Sequence, residues 1–176
     1  VRSAIEVFTG IHHDSNHWLV SLWMHLVGPR APFWMYRLPS FLAGIAAVLF
    51  AGWLAEVEGS KAGLARLLAA TSFPLVFYSS EARGYSLAAL AALAFLLYLV
   101  RWIATHEARF LLGSSIAAAL GLLAHPSFLL VLAASALYSL VLAARGGASY
   151  RSALLPFALP GVVFAALVAV NAGHFV

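Results

Sequence analysis

The chain has 176 residues, 64% of them hydrophobic and only 9% charged, with a mean hydropathy of +0.96. A soluble domain carries about 25% charged residues, so this composition excludes a water-soluble globule and defines an integral membrane protein. The formal charge of +4 comes from ten scattered Lys and Arg, which excludes a nucleic-acid footprint, and the lack of cysteine removes disulfides, thiolate metal sites and a cysteine nucleophile.

In chain order, residues 1–11 have neither the basic start nor the apolar core of a signal peptide. With no initiator Met and a stop just after an apolar stretch, the chain reads as an internal piece of a longer protein. The run His12-His13-Asp14-Ser15-Asn16-His17 then concentrates polar groups. His13 and His17 are four apart, which puts both on one helical face as in zinc sites. The metalloprotease pattern, however, needs Glu after the first His, where Asp14 stands, and no third ligand is near. A polar entry segment that brings Asp14, Asn16 and His17 to a substrate pocket fits better, with a solvated loop as the alternative.

The stretch His17–Val27 is too short to span, since eleven helical residues rise about 16 Å. His17, Ser21 and His25 form an i, i+4, i+8 polar stripe on an otherwise apolar segment with two Trp. Such a helix lies at a membrane interface or lines a cavity. Gly28-Pro29-Arg30-Ala31-Pro32 ends it.

Six later segments approach the roughly 17–25 residues that cross a bilayer: Phe33–Leu54, Ala62–Ser79, Tyr85–Trp102, Phe110–Ala124, Ser127–Ala144 and Ala153–Asn171. His125-Pro126 marks a tight hairpin or kink, and Pro156 and Pro160 predict a bend in the last span. The expected fold is therefore an all-α polytopic membrane protein with about six transmembrane helices and one N-terminal interfacial helix. Residues 1–32 would form a loop end and that helix, and residues 33–176 a single bundle. Lys61, Arg66, Arg101, Arg109, Arg145 and Arg151 flank one side, against Arg2, Arg30, Arg37 and Arg83 on the other. Six against four favours the first set as cytoplasmic. The His12–His17 run, Arg37, Glu81–Tyr85 and His125 then share the extracytoplasmic face.

Glu81-Ala82-Arg83-Gly84-Tyr85-Ser86 is the most informative interruption, because ionisable residues at membrane depth are functional-site candidates. Glu81 could orient an acceptor hydroxyl, hold a metal or act as a base, and Arg83 could grip phosphate through its planar fork. A structural ion pair is the alternative. On a helix the two-residue spacing would keep them apart. His125 stands at a membrane-surface turn and is a further candidate; His25 reads as a satisfied member of the wet stripe, while His106 and His174 read as bland. Trp34, Tyr36 and Tyr78 fit an interfacial aromatic belt.

Three stretches together resemble the GT-C type membrane glycosyltransferases, in the branch with protein O-mannosyltransferases and aminoarabinose transferases. They are Asp14-Ser15-Asn16-His17-Trp18-Leu19, Tyr36-Arg37-Leu38-Pro39-Ser40-Phe41-Leu42-Ala43-Gly44, and Phe77-Tyr78-Ser79-Ser80-Glu81-Ala82-Arg83-Gly84-Tyr85-Ser86-Leu87, with Gly121-Leu122-Leu123-Ala124-His125-Pro126 as a weaker echo. The likeness implies transfer of a sugar from a polyprenyl-phosphate donor to an acceptor at the extracytoplasmic face of a plasma (inner) membrane. It implies catalytic roles for Glu81 and Asp14, and substrate contacts from Arg83, Arg37, His17, Asn16, Tyr85 and His125. A divalent metal at His13 and His17 is a further expectation. The family's principal catalytic acid sits in an Asp-Glu motif upstream of the matched region, and nothing before Asp14 reproduces it, Glu6 being a poor candidate. Glu81 is thus expected to assist. The competing function is a transporter or flippase-like module, which would want its charges in mid-span; a non-catalytic scaffold is a third.

Overall fold

The computed structural model describes residues 4–9 and 17–171, and every described element is helical. The order is α1 (Ala4–Thr9), α2 (Trp18–Val27), α3 (Phe33–Val57), α4 (Ala62–Ala70), α5 (Phe73–Ser79), α6 (Tyr85–Thr105), α7 (Ala108–Ala124), α8 (Phe128–Ala144), α9 (Tyr150–Leu154) and α10 (Ala158–Asn171), with a 3₁₀ turn at Leu155–Phe157. The chain is an all-α membrane protein. Among the described residues, three segments are long and apolar enough to cross a bilayer: Phe33–Val57, Tyr85–Thr105 and Tyr150–Asn171.

Six such crossings were expected, and two features account for the lower number. The segment Ala62–Ser79 is not one helix: α4 and α5 meet at a break, bent by 59°. Pro74 stands in the first turn of α5, where its missing N–H costs nothing, but it could not continue α4. Counted as one bent span, the pair makes four. α7 and α8 have 17 residues each and so rise about 26 Å, short of the hydrocarbon core's roughly 30 Å. Around Pro156 the last span takes a 3₁₀ turn between α9 and α10, yet Tyr150–Asn171 still runs as one segment.

Pro39 sits inside α3 without ending it. A proline there withholds an N–H from the carbonyl four residues back, that of Met35. The indole N–H of Trp23 on α2 donates to this same carbonyl at 2.7 Å. The proline thus creates the acceptor that docks α2 on α3. Next to it, the Tyr36 hydroxyl donates to the Gly28 carbonyl at 2.7 Å and holds the intervening loop.

The core lies between α6 and α7, with α3 packed along the other flank of α6. Its buried residues are Ala91, Ala94, Phe95, Leu99, Ala117, Ala118, Leu122 and Phe128. All the buried positions on α7 but Leu122 are Ala, Ser or Gly, so the two backbones can approach closely, as in membrane helix pairs generally. At the far end, Trp102 donates its indole N–H to the Ser152 carbonyl at 2.8 Å, which latches α9 to α6.

Candidate functional site

Residues 81–84 are bends between α5 and α6. Side chains from two other parts of the chain hold them, and a third hydrogen bond closes the turn across its ends. The buried Ser40 hydroxyl on α3 donates to the Arg83 carbonyl at 2.8 Å. The Gly84 N–H donates to His17 Nδ1 at 3.3 Å. The buried Ser86 hydroxyl reaches back to the Tyr78 carbonyl at 3.1 Å. Gly84 is glycine because of close approach: a Cβ there would overlap the Ala124 carbonyl and stand 2.8 Å from His17 Nδ1. Gly44 does the same for Ser79, whose side chain occupies the space a Cβ would take. The described parts of the three stretches that carry the family resemblance are therefore joined in space, through His17, Ser40 and the 81–84 bend; Asp14, Ser15 and Asn16 lie outside the described residues.

Glu81 and Arg83 do meet, contrary to the expectation for a helix. Because the segment bends instead of coiling, Arg83 Nε lies 3.4 Å from Glu81 Oε2. Their side chains are 58% and 30% exposed, so the pair contributes little to stability. Together with Arg37, Met24, Phe33, Tyr36 and Ala82 they line a cavity of about 430 Å³. Two guanidinium groups against one carboxylate leave that cavity net positive.

On the other side of Gly84, four rings pack together. Tyr85 lies 4.5 Å from His125 and 5.2 Å from His17 between centroids; the two imidazoles are 4.9 Å apart, and Tyr78 is 4.4 Å from Tyr85. His17 Nδ1 also lies 3.4 Å from the Ala124 carbonyl. The bare nitrogen accepts from Gly84; the opposite tautomer would donate to Ala124 instead. His125 Nδ1 accepts the Ser127 N–H at 3.0 Å, which puts the ring proton of the neutral form on Nε2. Burial holds the His17 pKa below its ordinary value and the Arg83 charge adds to this, while the Ala124 carbonyl opposes it. His125 is lowered too, first by burial and then by His17.

Of the expected site residues, Glu81, Arg83 and Arg37 share the cavity, and His17, Tyr85 and His125 share the ring cluster. Gly84 connects the two groups. Asp14, Asn16 and His13 lie outside the described residues. Among the described residues, no group of three His, Asp or Glu side chains converges as a metal site would require. Sequence reasoning missed Ser40, Gly84 and Tyr78 as parts of the site. Tyr78 was read as a belt residue, and only its approach to Tyr85 distinguishes it.

The fold and this site define an all-helical membrane protein with a cationic cavity at the ends of its apolar helices. No protein-family model, no curated protein and no solved structure matches the chain.

Proposed function

We propose that the chain is part of a GT-C type glycosyltransferase that uses a polyprenyl-phosphate sugar. The observation that supports this reading best is the cavity in which Arg37 and Arg83 stand with Glu81 beside apolar helices. A lipid phosphate carries an anion on a hydrocarbon tail, and such a site offers both environments. In the proposed reaction the acceptor oxygen attacks the anomeric carbon, the bond from that carbon to the phosphate oxygen breaks, and a carboxylate takes the acceptor's proton. The departing polyprenyl phosphate keeps the electron pair, and Arg37 and Arg83 meet its charge. Glu81 orients the acceptor; the principal base belongs to the family's upstream acidic motif.

The six-span arrangement belongs to the same proposal. α7 and α8 would cross as short spans, at the lower end of the roughly 17–25 residues usual for a transmembrane helix. Lys61, Arg66, Arg101, Arg109, Arg145 and Arg151 would then face the cytoplasm and the cavity the opposite side.

The test uses membranes holding the protein together with any sequence its gene encodes on either side. Label on the sugar of a polyprenyl-phosphate donor should move to a second product. R37A and R83A should each slow this by roughly tenfold to a hundredfold, the loss of one charge-assisted contact of about 1.5–3 kcal/mol. Label that stays on the lipid, with substrate flux across vesicles that needs no sugar lipid, would instead establish the transporter alternative.

A further inference from the structure

The polar stripe of α2 has a use that the cationic cavity does not absorb. His17 starts it at the Gly84 turn, and Ser21 and His25 continue it along one helix face. Ser21 and His25 line a second cavity of about 370 Å³ with Met24, Gly28, Pro29 and Tyr36. That size is at the small end of ligand pockets, which run from about 300 to 1,000 Å³. It adjoins the cationic cavity, because Met24 and Tyr36 line both. Beside that boundary α2 is tied to α3, Trp23 donating to the Met35 carbonyl and Tyr36 to the Gly28 carbonyl.

The two cavities differ in chemistry. The first has two arginines and a glutamate in its lining; the second has no Lys, Arg, Asp or Glu. Among the described residues, neither the Ser21 hydroxyl nor the His25 ring makes a side-chain hydrogen bond. Ser21 can donate and accept, a neutral imidazole can do both through its two nitrogens, and the Tyr36 oxygen still has acceptor capacity after donating to Gly28. Hydroxyl groups, each a donor and an acceptor at once, complement that set, and an anion does not. Met24 and Pro29 supply apolar wall for the C–H faces of such a ligand.

We infer that the Ser21–His25 cavity binds a neutral polyol, the hydroxyl-bearing acceptor, next to the phosphate-binding cavity across the Met24–Tyr36 partition. The acceptor role rests on the glycosyl-transfer reading; polyol binding rests on this cavity alone.

The experiment measures two probes with the same tail, octyl glucoside below its micellar concentration and octyl phosphate, binding to the full chain in lipid nanodiscs. The double variant S21A/H25A should weaken octyl glucoside by about tenfold and leave octyl phosphate within about twofold, as expected for the loss of neutral hydrogen bonds. R37A/R83A should do the reverse. The inference is overturned when S21A/H25A binds octyl glucoside as the parent does, or when R37A/R83A weakens both probes alike. Octyl phosphate binding indifferent to the arginines would count against the transfer reading alone and leave the polyol arm intact. Should S21A/H25A bind neither probe, the parent protein decides. Its His25 ring-carbon resonance, assigned with H25Q, should move with octyl glucoside and not with octyl phosphate, and a resonance unmoved by the glucoside overturns the proposal.

Discussion

Trp23 donates its indole N–H to the Met35 carbonyl, the one acceptor that Pro39 leaves without its helical partner. A proline inside a helix normally costs the chain that hydrogen bond. Here α2 supplies the substitute, so a local defect in α3 becomes the attachment point of another helix. The contact's two partners are the chain neighbours of Met24 and Tyr36, which line both of two cavities of different charge character.

This relationship predicts a coupling. W23F should destabilise the protein by about 1–3 kcal/mol, because it leaves the Met35 carbonyl unpaired in a partly buried setting. In a P39A background an N–H at position 39 can reach Met35, and the same W23F change should then cost markedly less. A double-mutant cycle on thermal unfolding in detergent measures the difference. Equal costs in both backgrounds would show that Trp23 acts by packing alone.

Glycines 84 and 63 should respond oppositely to alanine. Gly84 has ordinary helical φ of −77°, so its cost is purely steric: the added methyl meets the Ala124 carbonyl and His17. G84A should lose about 1–3 kcal/mol, the usual range for an overpacked site, and should loosen α2 from the α7 end, visible as faster amide exchange at Gly84's neighbours. Gly63 lies within α4 with open space around its Cβ position. G63A should therefore be neutral or stabilise by up to about 1 kcal/mol.

The two site histidines predict a pH dependence of stability. Both have folded-state pKa values lowered from 6.5. The unfolded chain therefore binds protons first as pH falls, which means stability drops on acidification below 6.5 toward the lowered folded values, and is fully present above 6.5. Burial of both rings is the main cause, and at Gly84 the N–H also loses its acceptor once His17 Nδ1 carries a proton. Thermal midpoints in nanodiscs from about pH 8 to about pH 5 should fall less steeply in H17Q/H125Q than in the parent. Parallel curves would place the acid sensitivity elsewhere.

Several element ends were legible in the residues alone. The starts at Phe33, Ala62 and Tyr85 and the ends at Ala124, Ala144 and Asn171 coincide with the expected ones. Each is marked by a change from apolar to polar sequence or by Pro or Gly, which are local signals. The break between α4 and α5 was missed although Pro74 was in plain view, because hydropathy continues smoothly across it. For the same reason apolar length predicts six crossings where three described helices, or four with the bent pair, are long and apolar enough: it records that a helix avoids water, not whether its straight run reaches from one surface to the other.

What the sequence by itself determined was the class, a helical membrane protein, and the shortlist of polar residues that such a chain would not carry idly. Hydropathy is a sum over neighbours, so it needs no knowledge of the fold. The tertiary structure alone decided how that shortlist is grouped. His17 meets Gly84 across 67 positions and Ala124 across 107, and Ser40 meets Arg83 across 43. No local periodicity encodes those separations. They follow from helix packing: close approach at Gly44 and Gly84 and the acceptor freed by Pro39 bring α2, α3 and the α5–α6 turn together, so that one cavity holds two arginines and a glutamate while the lining of its neighbour has no Lys, Arg, Asp or Glu.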